Sequence, residues 1–235
     1  MSNYLKVSKL TLNVPNTQKS NFKDIISFRN FNFKTNLLNN ISFELSDGDI
    51  MGILGKNGAG KSTLLKCIAG IYENYSGEIQ KIGKIAPMLE LSAGFKADFN
   101  AIENINLIFT LINLKKPTIN QINQILKFSG LLNKSSIPIK HFSSGMIVRL
   151  GFSIMSTIKS DILILDEVFS VGDRDFVIKS KERIMKKINS SKITLLTSHN
   201  EDLISTLCNK CLILDKGNQI YFGKTKKALS VYKNI

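Results

Sequence analysis

The sequence predicts an α/β fold: a parallel sheet carrying a phosphate-binding loop, with antiparallel β structure ahead of it and a helical subdomain inserted within it. Three observations predict this. Short apolar runs at Ile50–Leu54, Ile162–Leu165 and Ile193–Thr197 have the length and composition of strands buried on both faces. A glycine-rich stretch, Gly55-Lys56-Asn57-Gly58-Ala59-Gly60-Lys61-Ser62-Thr63, joins the first run to a helical segment, Leu64 to Ala69. Apolar spacing then turns helical after Asn100 and returns to strand-like runs at Ile162.

Taken in order, residues 1–49 read as β-rich. Apolar stretches at Tyr4–Val14 and Ile25–Phe33 are separated by a turn at Asn13-Val14-Pro15-Asn16 and a polar run, and Ile41–Leu45 alternates like a half-buried strand. Ser46-Asp47-Gly48-Asp49 turns the chain into the strand before the loop. In that loop Gly55, Asn57, Gly58, Ala59 and Gly60 let backbone N–H groups face a polyphosphate, and the following helix directs its positive dipole end at the same oxygens. Lys61 reaches the β- and γ-phosphates, Ser62 ligates Mg²⁺, and Thr63 completes the pattern.

Glu78-Ile79 starts another strand, and Pro87 marks a change. Ile105, Ile108, Leu111 and Ile112 give one helix; Ile119, Ile122, Leu126 and Phe128 give a second that ends near Gly130. Ser143 and Ser144 cap a third, with apolar face Ile147, Leu150, Ile154 and Ile158. The helical insert is thus expected from about Pro87 to Ser156, roughly 65–70 residues. Phe176–Ile188 and Glu201–Leu207 read as helices, and Cys211–Leu214 with Gln219–Phe222 as a hairpin. The reading is of one domain, residues 1–235.

Composition narrows the class. With 43% apolar and 21% charged residues the chain is ordinary for a globular protein. No apolar run approaches the ~18–20 residues a span requires, and the N-terminus does not read as a signal peptide. A cytosolic protein is expected, or one held at a membrane by a partner. The net charge of +14 is spread along the chain, in pairs such as Lys115-Lys116, Lys186-Lys187 and Lys226-Lys227. No single-sign block or aromatic stripe marks a nucleic-acid surface, so none is expected as a partner. Cys67, Cys208 and Cys211 read as reduced core thiols; the C-x-x-C at 208–211 has no second pair for zinc.

The chemistry gathers at strand ends. Asp166 and Glu167 close the run Ile162–Leu165, at the carboxyl edge where open α/β sheets bind ligands. Asp166 is placed to hold Mg²⁺ and Glu167 to orient or deprotonate the attacking water. His199 follows the run ending at Thr197 and Ser198 and is placed to meet the γ-phosphate or that water; His141 lacks such a context and reads as structural. Ser143-Ser144-Gly145 at a helix N-terminus makes a second anion site. A single chain has no use for it far from its own loop. Two copies arranged head to tail do.

With these residues in view, the chain resembles the nucleotide-binding subunit of ABC transporters over essentially its whole length. The resemblance implies a P-loop NTPase of the ABC ATPase type, ATP and Mg²⁺ as cofactors, and catalysis by Glu167, His199 and Lys61. It makes Ser143-Ser144-Gly145-Met146 the signature sequence and Ile162–Asp166 the Walker B strand. Three stretches resemble the exporters of capsule, O-antigen and wall teichoic acid: Ser143–Met146 with Arg149-Leu150; Leu165–Asp173 with Phe176 and Lys179; and Leu89–Phe95 leading to Glu103-Asn104. Glu90 stands where most ABC proteins place a Gln that reaches the Mg²⁺ site. The position near Thr11 lacks the usual adenine-stacking aromatic, leaving Tyr4, Phe31, Phe33 or weak stacking.

The expectation is an ATP-hydrolysing homodimer that drives a separate ABC-2-type permease exporting a lipid-linked polysaccharide, O-antigen or capsule first. It would act at the cytoplasmic face of the inner membrane, without the carboxy-terminal carbohydrate-binding domain of some O-antigen exporters. The rivals are a teichoic acid exporter ATPase and a soluble ABC ATPase acting on nucleic acid or ribosomes.

Overall fold

The computed structural model describes residues 3–15, 34–112, 114–170 and 172–234. The stretch Ile25–Phe33, with Phe31 and Phe33, lies outside the described residues. One sheet of nine strands runs in the order β4-β1-β2-β9-β8-β3-β7-β6-β5. The strands are β1 (Tyr4–Pro15), β2 (Lys34–Ser46), β3 (Ile50–Leu54), β4 (Ser76–Ile82), β5 (Ile85–Met88), β6 (Ile162–Asp166), β7 (Ile193–Thr197), β8 (Lys210–Asp215) and β9 (Asn218–Lys224).

The half formed by β8, β3, β7, β6 and β5 is parallel, and β1 pairs antiparallel with both β2 and β4. β3, β6 and β7 are almost wholly buried because helices cover both faces, which is why their sequences are near-continuous apolar runs. Helix α1 (Lys61–Ala69) packs Leu64, Leu65 and Ile68 on the β-rich side.

The inserted helices are α2 (Ala101–Leu111), α3 (Ile119–Ser129) and α4 (Ser144–Met155). Asn100 with Glu103, and Thr118 with Gln121, form capping boxes that fix two of their starts. Gly130 ends α3 in the left-handed conformation. These helices share their own core of Ala101, Ile105, Phe109, Ile125, Leu150 and Ile154. The insert meets the sheet layer where Phe128 of α3 packs on Phe152 of α4 and on Phe176, with centroids 6.2 and 5.5 Å apart. Phe176 belongs to α5 (Arg174–Ser190), whose first turn is capped by Asp173. Helices α6 (Glu201–Leu207) and α7 (Thr225–Tyr232) complete the chain.

Several expectations shift. Pro87 lies inside β5, paired with Ile164, so the sheet continues to Met88 before the insert begins. β1 runs through the expected turn to Pro15. α4 stops at Met155; Ile158 is buried but lies beyond it. His141 belongs to a short 3₁₀ turn, Ile139–His141. α7 has no counterpart in the sequence reading. The three cysteines are buried free thiols; burial pushes Cys67 up to about 11 and also raises Cys208 and Cys211. Among the described residues no helix is long and apolar enough to cross a membrane.

Candidate functional site

β3 delivers the chain to Gly55, and the loop turns into α1 at Gly60. Gly60 holds φ 101° and a Cβ there would approach Leu37 O to 3.0 Å, so only glycine fits. It caps α1 without a side-chain hydrogen bond, and the first turn has no acidic residue. A helix start leaves its first N–H groups unpaired. Here no side chain claims them, which fits a bound phosphate. Lys61 is 8% exposed, and its Nζ donates to Gly55 O at 2.7 Å and to Lys56 O at 3.1 Å. The ammonium is therefore held within the loop. A cleft of about 500 Å³ spans Asn57 to Thr63 and reaches Glu167, with Asn36, Leu37, Lys216 and Gly217 on its far wall. Those four were not picked out by sequence; they arrive from β2 and the β8–β9 turn through sheet topology. Among the described residues no aromatic lines this cleft, Tyr4 included.

Asp166 ends β6, and Thr197 ends β7 directly beside it. The buried Thr197 hydroxyl donates to Asp166 Oδ1 at 2.6 Å and accepts from Glu167 N at 3.1 Å. One hydroxyl thus fixes the carboxylate of Asp166 and the backbone of Glu167. That backbone is unusual for a non-glycine residue, with φ 52°. It turns the Glu167 side chain toward the cleft and His199, whose Nε2 lies 2.8 Å from Glu167 Oε1. The structure therefore gathers Asp166, Glu167 and His199 at the ends of β6 and β7, and adds Thr197.

Thr197→Val keeps the shape but removes the hydroxyl. It leaves the Glu167 N–H unpaired, at about 1–3 kcal/mol. ATP turnover should fall about tenfold, the rate equivalent of 1.4 kcal/mol, with Thr197→Ser restoring most of it. Turnover equal to wild type in the valine variant would remove Thr197 from this role.

Glu90, expected at the Mg²⁺ site, is engaged here by a lysine. Its Oε1 forms a 2.6 Å ion pair with Lys66 Nζ, on α1 one turn beyond Ser62. That hydrogen bond raises the Lys66 ammonium above its ordinary range, and the Asp166 charge adds to it. Ligation of a metal by Glu90 requires that it leave Lys66. Ser62 and Asp166 remain a fitting pair for Mg²⁺, which takes few protein ligands when phosphates supply others.

Ser143 caps α4 through Met146 N at 3.3 Å. Ser143, Ser144 and Gly145 are exposed and none of them lines the phosphate cleft. Farther along α4, Arg149 Nη1 pairs with Asp173 Oδ2 at 2.7 Å, linking this helix to the segment after Glu167.

A glycine-rich loop at a helix start, a buried lysine inside it, and an Asp–Glu strand end facing it define a phosphate-loop nucleotide hydrolase. Residues 38–170 match the family model described as "ABC transporter", and the chain belongs to that family. It is 40% identical over 181 residues to the O-antigen export system ATP-binding protein RfbE of Yersinia enterocolitica, covering 77% of this chain and 76% of that protein. It is 33% identical over 218 residues to the teichoic acids export ATP-binding protein TagH of Staphylococcus haemolyticus, covering 92% and 82%. A solved structure, "Structure of ATP binding subunit of ABC transporter", superposes with a TM-score of 0.71 over 97% of this chain and 93% of that one. At 21% identity that is a likeness of fold. The chain is an ABC-type ATPase.

Proposed function

We propose that this ATPase powers the export of a lipid-linked cell-surface polysaccharide, O-antigen or capsule first, through a separate ABC-2-type permease. Two copies would act together. The observation that carries the dimer is the exposure of Ser143–Gly145 outside their own chain's cleft. An uncovered helix start of this kind suits the γ-phosphate held by a second copy. Mg²⁺, held by Ser62 and Asp166, would neutralise charge on the β- and γ-phosphates. Glu167, oriented by Thr197 and joined to His199, would accept the proton of the attacking water.

The export reading is supported by the relatives, which are named for O-antigen and teichoic acid export. An apolar groove of about 300 Å³ along Leu89, Leu91, Phe95, Ile108 and Leu111 offers the permease a docking place beside Glu90. Through Glu90–Lys66 that groove is one ion pair from the phosphate-loop helix. The permease would hold the chain at the cytoplasmic face of the membrane.

Deleting the gene in its own cell should strip the surface of one polymer and leave its lipid-linked form inside. Which polymer accumulates separates O-antigen or capsule from teichoic acid, the reading favoured by the relatives that cover 92% of the chain. A full surface polymer in the deletion strain would overturn export.

A further inference from the structure

A second cleft lies away from the phosphate loop. It measures about 590 Å³ and lies where β5 and β6 begin, under the last turns of α4 and α5. β6 rises roughly 3.3 Å per residue, so this end of the sheet is about 13 Å from Asp166. Five cations line it: Lys84, Lys159, Arg183, Lys186 and Lys187. Its one carboxylate, Asp161, is already engaged, accepting from Lys84 N at 2.8 Å.

Part of this charge has a purely structural role. Lysines near helix C-termini neutralise the negative end of the dipole, and Lys187 Nζ does donate to Ile158 O in this way. Two helix ends supply about half a negative charge each. With Asp161 they offset about two of the five positive charges, leaving a surplus of about three. Dipole compensation therefore accounts for fewer than half of these residues.

Two further features point to a ligand. Arg183 sits over Phe128, its Cζ 3.9 Å from the ring centroid, yet its Nη1 is sealed from solvent with no hydrogen-bond partner. Ser160 Oγ, on the same wall, is likewise buried and unpartnered. An unpaired buried donor is costly to leave unsatisfied. A small turn of either side chain toward the cleft would pair it with an oxyanion there. Burial, and secondarily the nearby Arg183, push Lys187 down to about 8.

We propose that this cleft binds a phosphate-class oxyanion, with Arg183, Lys187 and Ser160 at its base and Lys84, Lys159 and Lys186 around its rim. The surplus of charge favours an anion, and the gathered donors suit tetrahedral phosphate oxygens. The source is a phosphorylated solute or the headgroup of an anionic lipid.

The test is calorimetric titration of pyrophosphate into the full chain, with the phosphate loop already saturated by a non-hydrolysable ATP analogue. One additional site should appear. Lys84 and Lys159 are exposed, so Lys84→Ala with Lys159→Ala will keep the fold, and should weaken binding about tenfold, as loss of charge-assisted hydrogen bonds implies. Lys187→Met should weaken it further. A parallel arm sediments the chain with phosphatidylcholine vesicles with and without phosphatidic acid. Pyrophosphate heat identifies a solute ligand; phosphatidic acid-dependent sedimentation, lost in the same variants, identifies a headgroup. Absence of both, or binding indifferent to all three substitutions, would overturn the site.

Discussion

Glu167→Gln should cut ATP turnover by about a hundredfold to ten-thousandfold, the usual contribution of a general base, while ATP stays bound. The amide is isosteric, and its Oε1 can still accept from His199 Nε2, so the 2.8 Å contact survives. The backbone N–H bond to Thr197 is untouched. What disappears is the basic oxygen and one negative charge facing the cleft. The nucleotide, itself an anion, should be held as tightly or more tightly. Under the proposed dimer, the variant should accumulate as an ATP-bound pair of chains, since closure needs binding and reopening needs hydrolysis. Turnover above a tenth of wild type would reject Glu167 as the base. A monomer throughout sedimentation with ATP would instead reject the dimer.

Gly151→Ala should be among the most destabilising single-methyl changes in this chain. Gly151 lies in the middle of α4, where glycine is normally unfavourable. Its place is explained by the segment after β5, which runs against it: a Cβ on Gly151 would sit 1.8 Å from Leu91 O. The obstacle is a backbone carbonyl, so no side-chain rotation relieves it. Overpacking of this kind costs about 3 kcal/mol. For a chain of this size each kcal/mol moves the melting midpoint about 2–4 °C, so a fall of roughly 6–12 °C is expected. Leu91 adjoins Glu90, so the displaced carbonyl should also disturb the Glu90–Lys66 pair and reduce turnover of the surviving folded protein. A midpoint within about 1 °C of wild type would mean that α4 is free to shift at little cost.

What the sequence made legible follows a physical line. β7 and α6 are found at the residues expected, because a five-residue buried run and an Asn200 cap are local signals. The phosphate loop is equally local. β5 was hidden by Pro87, which reads as a breaker. It survives there because β5 is the last strand of the sheet, and an edge strand can forgo one N–H bond. Thr197 looked like any β-branched strand residue; its hydroxyl acquires meaning only when β6 lies alongside. Glu90 illustrates the same limit, since the family resemblance directed it to Mg²⁺ while the fold brings Lys66 within 2.6 Å. The basic cleft escaped notice because Lys84, Lys159 and Lys187 are far apart in sequence and meet only through β5–β6 pairing and helix packing.

The separate core of the inserted helices has a mechanical consequence. α2, α3 and α4 bury their own side chains, so the insert would keep most of its internal contacts on tilting. One contact between the insert and the rest of the chain is the corner where Phe128, Phe152 and Phe176 meet and Arg149 reaches Asp173. Ring contacts slide with little loss, whereas a hydrogen-bonded ion pair stretches and breaks. The corner therefore pairs a sliding contact with an ionic latch, and the latch stands just past the residue proposed to split water.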